Sequence, residues 1–192
     1  MNQEASIILA SQSPRRNQLM KRSGLKFRCI ASNAIECSPG HLTPIEVAKT
    51  NAHRKARTIS TENPDALVIG ADTVVALGKK LYGKPEDLKE AFNFLRQLAG
   101  QTHEVTTGVC LTRSKPERVR LFSVTTRVTL QPLRDQVIKE YLSMINPLDK
   151  AGGYAIQEHG DWIIGEIYGS YTNVVGLPME RIQIELNAWF AI

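Results

Sequence analysis

The chain has 192 residues, 42% of them hydrophobic and 22% charged, which fits one globular unit or two lobes around a cleft and excludes a disordered chain. No stretch approaches the roughly 18 apolar residues that a membrane-spanning helix needs. The net charge of +5 favours an anionic ligand, but an ordinary basic surface would give the same value.

The start of the chain predicts a strand that runs directly into a helix. Residues 2–4 are polar, and the apolar run at residues 7–10 predicts a short buried strand, too short for the hydrophobic region of a signal peptide. Ser13 is a natural N-cap, Pro14 suits the first helical position, and Gly24 is a common C-terminal signal. Because no signal peptide is indicated, we expect the protein in the cytoplasm.

The next part of the chain predicts a capped helix and a long extended segment. Thr43 and Glu46 have the spacing of a capping box. The helix is marked by apolar residues three or four positions apart, namely Ile45, Ala48, Ala52, Ala56 and Ile59. Residues 67–69 then predict a buried strand that ends at Gly70-Ala71-Asp72, and residues 73–77 continue extended towards a turn.

The rest of the chain predicts helices on either side of a β ribbon. In chain order, the predicted elements are a helix ending at Gly100, strands at residues 103–112 and 118–130, a helix from Pro132 to before Pro147, short β segments at residues 154–157 and 162–168, and a last helix from about Pro178. This alternation predicts an α/β fold with a mixed sheet, and a cleft where strands lead into helices.

Residues 11–16 offer a candidate phosphate site at the start of the first helix. A helix N-terminus exposes unpaired backbone amides that carry partial positive charge. Ser11 and Ser13 add hydroxyl donors, and Arg15 and Arg16 add guanidinium groups whose geometry matches phosphate oxygens. A plain capped helix with solvated arginines explains the same residues, and the local pattern does not decide between the two.

Asp72 is the main candidate for chemistry, because small Gly70 and Ala71 precede it and the hydroxyl of Thr73 follows it. A carboxylate held rigidly beside a ligand could take a proton from water or bind Mg²⁺. An aspartate that merely organises the turn after the strand is an equally common explanation. These four residues alone leave both interpretations open.

Two lysines are candidates for contacts with an anion. Residues 78–84 have the glycine and lysine spacing of a P-loop, but Pro85 stands where the magnesium-binding hydroxyl is required, so we reject a P-loop. Pro85 restricts Lys84 to an extended backbone, which could aim its ammonium into the cleft. Lys55 lies at the border of the buried stripe of its helix, where it could reach a phosphate or extend along the helix to water.

The remaining polar residues give weaker signals. Residues 149–157 combine small residues, which allow a tight bend, with a predicted strand that presents Gln157, whose amide could read the edge of a base. Glu36 alone would be a solvated loop acid. The three cysteines and four histidines lack metal-ligand spacing, and the basic residues are scattered. We therefore expect no zinc site, no disulfide and no stable nucleic-acid complex.

The order of these motifs, along nearly the whole chain, resembles the Maf family of nucleotide pyrophosphatases. The segments that carry the resemblance are Leu9-Ala10-Ser11-Gln12-Ser13-Pro14-Arg15-Arg16, Lys55-Ala56, Gly70-Ala71-Asp72-Thr73-Val74-Val75, Gly83-Lys84-Pro85, residues 100–108, residues 149–157, Gly169-Ser170-Tyr171 and Val175-Gly176-Leu177-Pro178. The resemblance implies one domain over residues 1–192 with a two-lobed α/β fold, shared with the inosine-triphosphate pyrophosphatases, an elongated mixed sheet and a central cleft. It also implies a homodimer that cleaves nucleoside triphosphates between the α and β phosphates with Mg²⁺ or Mn²⁺.

The resemblance further assigns roles to individual residues. By position, Asp72 matches the proton acceptor, residues 11–16 match the phosphate-binding turn, and Lys55 and Lys84 match the lysines of the cleft. Glu36 matches a functional acid, which would hold the metal together with Asp72.

Other matches concern the substrate. Arg15, Thr73 and Gln157 match the positions that separate substrate subgroups, and the intact segment 149–157 is similar to the dTTP/UTP branch. The alternatives are a pyrophosphatase for modified nucleotides such as 7-methyl-GTP, and a nucleotide-binding regulator of cell division with little turnover. Where the family often carries two consecutive acids, Ile35 replaces the first. We expect this to raise the Mg²⁺ requirement, unless that acid is merely a solvated surface charge.

Overall fold

The computed structural model describes residues 6–38 and 40–191, so the polar start at residues 2–4 lies outside the described residues. Within them, seven strands form one mixed sheet, accompanied by six α-helices. The strands are β1 (Ile7–Ala10), β2 (Phe27–Ile30), β3 (Leu67–Leu77), β4 (Lys80–Tyr82), β5 (Thr102–Arg113), β6 (Arg118–Leu130) and β7 (Ile164–Tyr168). The helices are α1 (Pro14–Arg22), α2 (Pro44–Glu62), α3 (Leu88–Leu98), α4 (Asp135–Met144), α5 (Tyr171–Val175) and α6 (Met179–Phe190). No helix in the described part of the chain is long and apolar enough to cross a membrane.

The strands follow the order β2-β1-β3-β5-β6-β7, with β4 paired to β3. Strand β1 pairs in parallel with β2 and β3, whereas β3, β5, β6 and β7 pair antiparallel, each with the next. Strands β3, β5 and β6 are 11, 12 and 13 residues long, so they make the sheet elongated. The predicted α/β fold with an elongated mixed sheet is confirmed.

Two of the apolar clusters lie at opposite ends of the long strands. The first packs the beginning of β3 against α1 and α6, with Leu19, Ile69 and Trp189 among its members. The second packs the end of β3 against α3 and α4, and includes Leu95. Asp72 lies between them on β3 and belongs to neither cluster. This polar middle separates the two lobes and forms the floor of the cleft.

Helix α2 lies unusually close to the sheet at two glycines. A Cβ atom added at Gly70 would collide with the carbonyl oxygen of Ala52, and one added at Gly108 would collide with that of Ala48. Because neither glycine has a side chain, the backbone of α2 packs directly on the backbones of β3 and β5. This packing brings the side of α2 that carries Lys55 over the polar middle of the sheet.

The helix starts follow the predicted capping. The Ser13 hydroxyl accepts a bond from the Arg16 backbone amide at 3.4 Å, and the Thr43 backbone amide donates to the Glu46 carboxylate at 2.8 Å within a complete capping box. Ile45 is an exception to the predicted buried stripe of α2. It is 45% exposed, because it lies in the first turn and burial of the helix begins only two residues later.

Residues 154–157 do not form the predicted strand. Gly152 and Gly153 have positive φ angles of 75° and 72°, which bend the chain just before them. The hydroxyl of Tyr141 in α4 then donates to the Ala155 carbonyl and accepts from the Ala155 amide, both at 3.0 Å. A helix side chain thus satisfies the backbone groups that a neighbouring strand would have bonded.

Helix α4 begins at Asp135, three residues after its predicted start at Pro132. The backbone of Gln131 is still held by its neighbours, since it donates to Ile163 at 2.8 Å and accepts from Gly100 at 3.0 Å. The chain turns into a helix only after it has left these contacts. The short helix α5 was not predicted from the sequence.

Gly108→Ala should destabilise the fold, because the new methyl group would meet the Ala48 carbonyl although the Gly108 backbone itself is acceptable for alanine. We expect overpacking to cost about 1–3 kcal/mol and to lower the melting temperature by roughly 2–4 °C per kcal/mol. Gly160→Ala is the matched control, since the nearest atom to its added Cβ is 3.7 Å away. Equal melting temperatures of the two variants in calorimetry would contradict the close packing of α2.

Candidate active site

A cleft of about 490 Å³ lies over the polar middle of the sheet, within the usual size range of small-molecule sites. All of the site residues expected from the sequence line this cleft, namely Ser11, Ser13, Arg15, Arg16, Glu36, Lys55, Asp72, Thr73, Lys84 and Gln157. The fold therefore brings these residues together, while their chemical roles stay predictions.

Asp72 is held inside a strand. It lies opposite Gly108 of β5 and is 6% exposed. Its Oδ1 atom accepts a bond from Lys55 Nζ at 2.6 Å, and its Oδ2 atom accepts one from Asn51 Nδ2 at 3.1 Å. The interpretation of Asp72 as a turn residue is wrong, because β3 continues without interruption to Leu77.

Lys55 joins the carboxylates of two different segments. Its Nζ atom lies 2.6 Å from Asp72 Oδ1 and 2.6 Å from Glu36 Oε1, and its side chain is 11% exposed, so it does not extend along α2 to water. Burial raises the pKa of Glu36, but the hydrogen bond and charge of Lys55, with smaller contributions from Lys84 and Arg16, outweigh burial. The pKa of Glu36 is therefore below its usual value, and Glu36 is not the isolated loop acid that its local sequence indicated.

Asn51 is a cleft residue that sequence reasoning missed. It is 4% exposed, and its Nδ2 atom donates to Asp72 Oδ2 at 3.1 Å and to the Cys37 carbonyl at 3.0 Å. Its Oδ1 atom accepts from the Cys37 backbone amide at 2.9 Å. The sequence did contain a signal for Asn51. It lies one helical turn before Lys55, and residues four positions apart share a face of a helix.

The start of α1 supplies a fixed guanidinium group. Arg16 donates through Nε to the Gly176 carbonyl at 2.7 Å and through Nη2 to Thr73 Oγ1 at 3.0 Å. Burial lowers the pKa of Arg16, an effect that the charge of Asp72 opposes. Arg16 is thus a structured part of the cleft wall, which contradicts the alternative of a solvated arginine.

Arg15 connects α1 with the segment 149–157. It donates to Asp149 Oδ2 at 3.0 Å and to the Asp149 carbonyl at 3.2 Å. The other oxygen of that carboxylate accepts from Lys150 Nζ at 2.8 Å. Burial raises the pKa of Asp149, but Lys150 and Arg15 outweigh it and hold the pKa below its usual value. An anion that binds Arg15 must therefore compete with Asp149.

Lys84 and Gln157 line the cleft from two neighbouring segments. The Gly152 amide donates to the Gly83 carbonyl at 2.9 Å, which holds the segment 149–157 beside the end of β4. Lys84 is exposed and Gln157 is half-buried, so both side chains are accessible from the cleft. Gln157 reaches this position from an irregular segment, not from the predicted strand.

Asp72 and Glu36 could together hold a metal ion. Their oxygens lie at equal distances of 2.6 Å from one nitrogen, so they converge on a position that suits a cation. Among residues 6–38 and 40–191, no group of three or more His, Cys, Asp or Glu side chains could hold a metal ion. Mg²⁺ is commonly bound through one or two carboxylates together with substrate phosphates and water. The carboxylates of Asp72 and Glu36 fit Mg²⁺ on condition that a phosphate-bearing molecule supplies the remaining metal ligands.

Ile35 lies outside the cleft. Its side chain is 83% exposed, whereas its neighbour Glu36 lines the cleft. A carboxylate at this position would lie mainly in solvent, where charges are strongly screened. The geometry therefore supports the alternative that an acid at this position would be a solvated surface charge.

Comparisons with known proteins identify a family, similar named relatives and a similar fold. The family model described as Maf-like protein matches residues 6–189. A dTTP/UTP pyrophosphatase of Akkermansia muciniphila is 41% identical over 94% of this chain and 95% of its own length. A protein of the same name from Pelotomaculum thermopropionicum is 44% identical over 92% of both chains. The solved structure of the Staphylococcus aureus Ham1 protein covers 95% of this chain and 98% of its own with a TM-score of 0.57, and its 12% identity limits that likeness to the fold.

His103 is buried behind the cleft wall. It is 1% exposed, and its Nε2 atom lies 2.6 Å from the hydroxyl of Tyr154, a residue that lines the cleft. Burial lowers the pKa of His103 to about 4, although the nearby Gln101 backbone opposes the shift. His103 is thus a neutral core residue at pH 7.

The depressed pKa of His103 predicts a loss of stability in acid. The part of the unfolding free energy that depends on neutral His103 is fully present above the ordinary pKa of 6.5. It is lost as the pH falls towards the folded-state pKa of about 4. The loss should be on the order of 3 kcal/mol between pH 7 and pH 4. His103→Gln, which does not titrate, should flatten the pH dependence of the unfolding free energy measured in urea.

His41→Gln is the control for this measurement, because His41 is exposed. The control should keep the pH dependence of the unmodified protein. If His103→Gln also keeps the pH dependence of the unmodified protein, buried neutral His103 is not the cause of that dependence.

Proposed function

Since this chain belongs to the Maf family, we propose that it hydrolyses nucleoside triphosphates, with dTTP and UTP as substrates, to the nucleoside monophosphate and pyrophosphate. The observation that carries the proposal is the Lys55 ammonium, which lies 2.6 Å from both Asp72 and Glu36 in a cleft that also contains Arg16. The cleft thus combines carboxylates that can activate water and bind a cation with cationic side chains that can bind phosphates. The names of the relatives support the same substrate class.

Asp72 is the proposed acceptor of a proton from the attacking water. A general base must be held within hydrogen-bond reach of that water. Asp72 meets the requirement for rigidity, because its strand is central to the sheet and both of its oxygens already accept hydrogen bonds. Lys55 can give up its bond to Asp72 Oδ1 when a phosphate takes its ammonium, and that oxygen can then accept a bond from water.

Basic groups from several segments are proposed to hold the triphosphate. Arg16 and the backbone amides at the start of α1 lie on one side, with the ammonium groups of Lys55 and Lys84 facing the same cleft. Arg15 joins them when a phosphate displaces Asp149. Positioning and charge neutralisation are the main sources of acceleration in phosphoryl transfer, so these contacts account for most of the proposed catalysis.

We also propose a divalent cation, Mg²⁺ or Mn²⁺, as the cofactor. Glu36 and Asp72 would hold it through the oxygens that converge on Lys55 Nζ, with phosphate oxygens as further ligands. When bound, the cation would neutralise charge on the phosphates and polarise the bond to be broken.

A pyrimidine base is the proposed recognition target of Gln157. A glutamine amide offers both a donor and an acceptor, as a base edge requires. Thr73 and Arg15, the other two positions linked to substrate choice, are bonded to Arg16 and Asp149 respectively.

The protein is further proposed to act as a cytoplasmic homodimer on free nucleotides and not on nucleic acid. Family membership supports the dimer, and the scattered basic residues argue against a nucleic-acid surface. Sedimentation velocity should give twice the mass of the chain.

Asp72→Asn should remove most of the pyrophosphate release, because an amide keeps the shape of the carboxylate but cannot accept the proton. We expect the rate with dTTP to fall by at least about 100-fold. Asp65→Asn, which changes an exposed aspartate between α2 and β3, is the control and should keep the full rate. Pyrophosphate release should be measured for dTTP, UTP, 7-methyl-GTP and pseudo-UTP, each with Mg²⁺ and Mn²⁺.

Each alternative has its own outcome in this assay. Faster release from 7-methyl-GTP than from dTTP would replace the pyrimidine assignment. Nucleotide binding without release by the unmodified protein would favour a regulator of cell division. Equal rates for Asp72→Asn and the unmodified protein would remove Asp72 from the mechanism.

A further inference from the structure

We propose that Asn51 is a positioning residue, which sets the relative position of the two cleft carboxylates, Asp72 and Glu36. Asn51 belongs to α2, Asp72 to β3, and Glu36 to the segment between β2 and α2. No single helix or strand therefore fixes the two carboxylates relative to each other. The catalytic consequence of this inference rests on the proposed function, whereas its structural consequence does not.

The Asn51 amide pairs with the backbone of Cys37 as a neighbouring strand would. It accepts from the Cys37 N–H at 2.9 Å and donates to the Cys37 carbonyl at 3.0 Å. Residues 31–38 have no regular secondary structure, so these two bonds supply backbone partners that a sheet would otherwise provide. Because Cys37 directly follows Glu36, the pairing holds the Glu36 backbone at the cleft.

The same amide fixes the second carboxylate. Asn51 Nδ2 donates to Asp72 Oδ2 at 3.1 Å, while Lys55 Nζ holds Oδ1 at 2.6 Å. With one donor on each oxygen, the plane of the Asp72 carboxylate is defined. Asn51 is 4% exposed, so water is a poor substitute for these bonds when the amide is removed.

Substitutions can separate this role from simple packing. Asn51→Leu keeps a similar number of side-chain atoms and removes all three hydrogen bonds. Asn51→Ala removes the same bonds together with most of the side chain, and both substitutions favour the helix. Ser60→Ala is the matched control in the same helix. Ser60 is 1% exposed and its hydroxyl lies 2.6 Å from that of Ser114, yet Ser60 does not line the cleft.

The first test is hydrogen exchange of the Cys37 backbone amide, followed by ¹⁵N NMR. Without its acceptor on Asn51, this amide should exchange at least about 10-fold faster in Asn51→Ala and Asn51→Leu. In Ser60→Ala its exchange should stay as in the unmodified protein.

The second test is Mn²⁺ binding in the presence of a dTTP analogue that cannot be hydrolysed between its α and β phosphates, followed by electron paramagnetic resonance. Both Asn51 variants should bind Mn²⁺ about 10–100-fold more weakly, which is the usual effect of removing a partner of a metal ligand. In turnover with dTTP, kcat should fall by a similar factor with a smaller change in KM, because Asn51 acts through the carboxylates. Ser60→Ala should show none of these effects, even if it melts at a lower temperature.

Two results would overturn the inference. One is unchanged exchange of the Cys37 amide in both Asn51 variants. The other is Mn²⁺ binding beside the analogue that is equal in the unmodified protein and in both Asn51 variants. Neither measurement needs turnover, so a protein that released no pyrophosphate would refute the proposed function while these tests still decided the role of Asn51.

Discussion

The contact of one lysine ammonium with two carboxylates is the interaction on which the cleft depends. Lys55 is nearly buried, and both Asp72 and Glu36 lie 2.6 Å from its nitrogen. An ammonium removed from water without such partners would be strongly unfavourable. Because the three groups come from a helix, a strand and a loop, compensation of this charge helps to position all three segments. Apolar packing builds the two lobes, and this charged contact organises the space between them.

The contact of Lys55 with the two carboxylates depends in turn on two glycines of the sheet, which have no side chains. Gly70 and Gly108 let the backbone of α2 rest on β3 and β5, and a larger residue at either position would push the helix outward. Lys55 and Asn51 would move with it, and hydrogen bonds at 2.6 and 3.1 Å to Asp72 weaken steeply when they lengthen. Glycines of the sheet are therefore as much a requirement of the site as the charged residues.

Features set by neighbouring residues were predictable from the sequence, and features set by distant partners were not. The caps at Ser13 and Thr43 and the long β ribbon follow from short patterns, and the structure has them. The local pattern could not decide whether Asp72 belongs to a turn, because its place inside β3 is set by the pairing of Val68–Ala76 with the distant strand β5. The assignment of residues 154–157 to a strand failed because the Tyr141 hydroxyl bonds there instead. Glu36 was recognised through the family resemblance, since its partner Lys55 is remote in sequence.

The charges of the cleft explain why a cation and a triphosphate would bind together. Among its described lining residues are five cationic side chains, Arg15, Arg16, Lys55, Lys84 and Lys150, and three carboxylates, Glu36, Asp72 and Asp149. Most of these charges already neutralise one another, as in the pairs Arg15–Asp149 and Lys55–Asp72. A triphosphate carries more negative charge than the remaining excess can balance, so it would have to take Arg15 and Lys55 from their partners. That exchange leaves Glu36 and Asp72 without a counter-charge, and a divalent cation is the ligand that restores it.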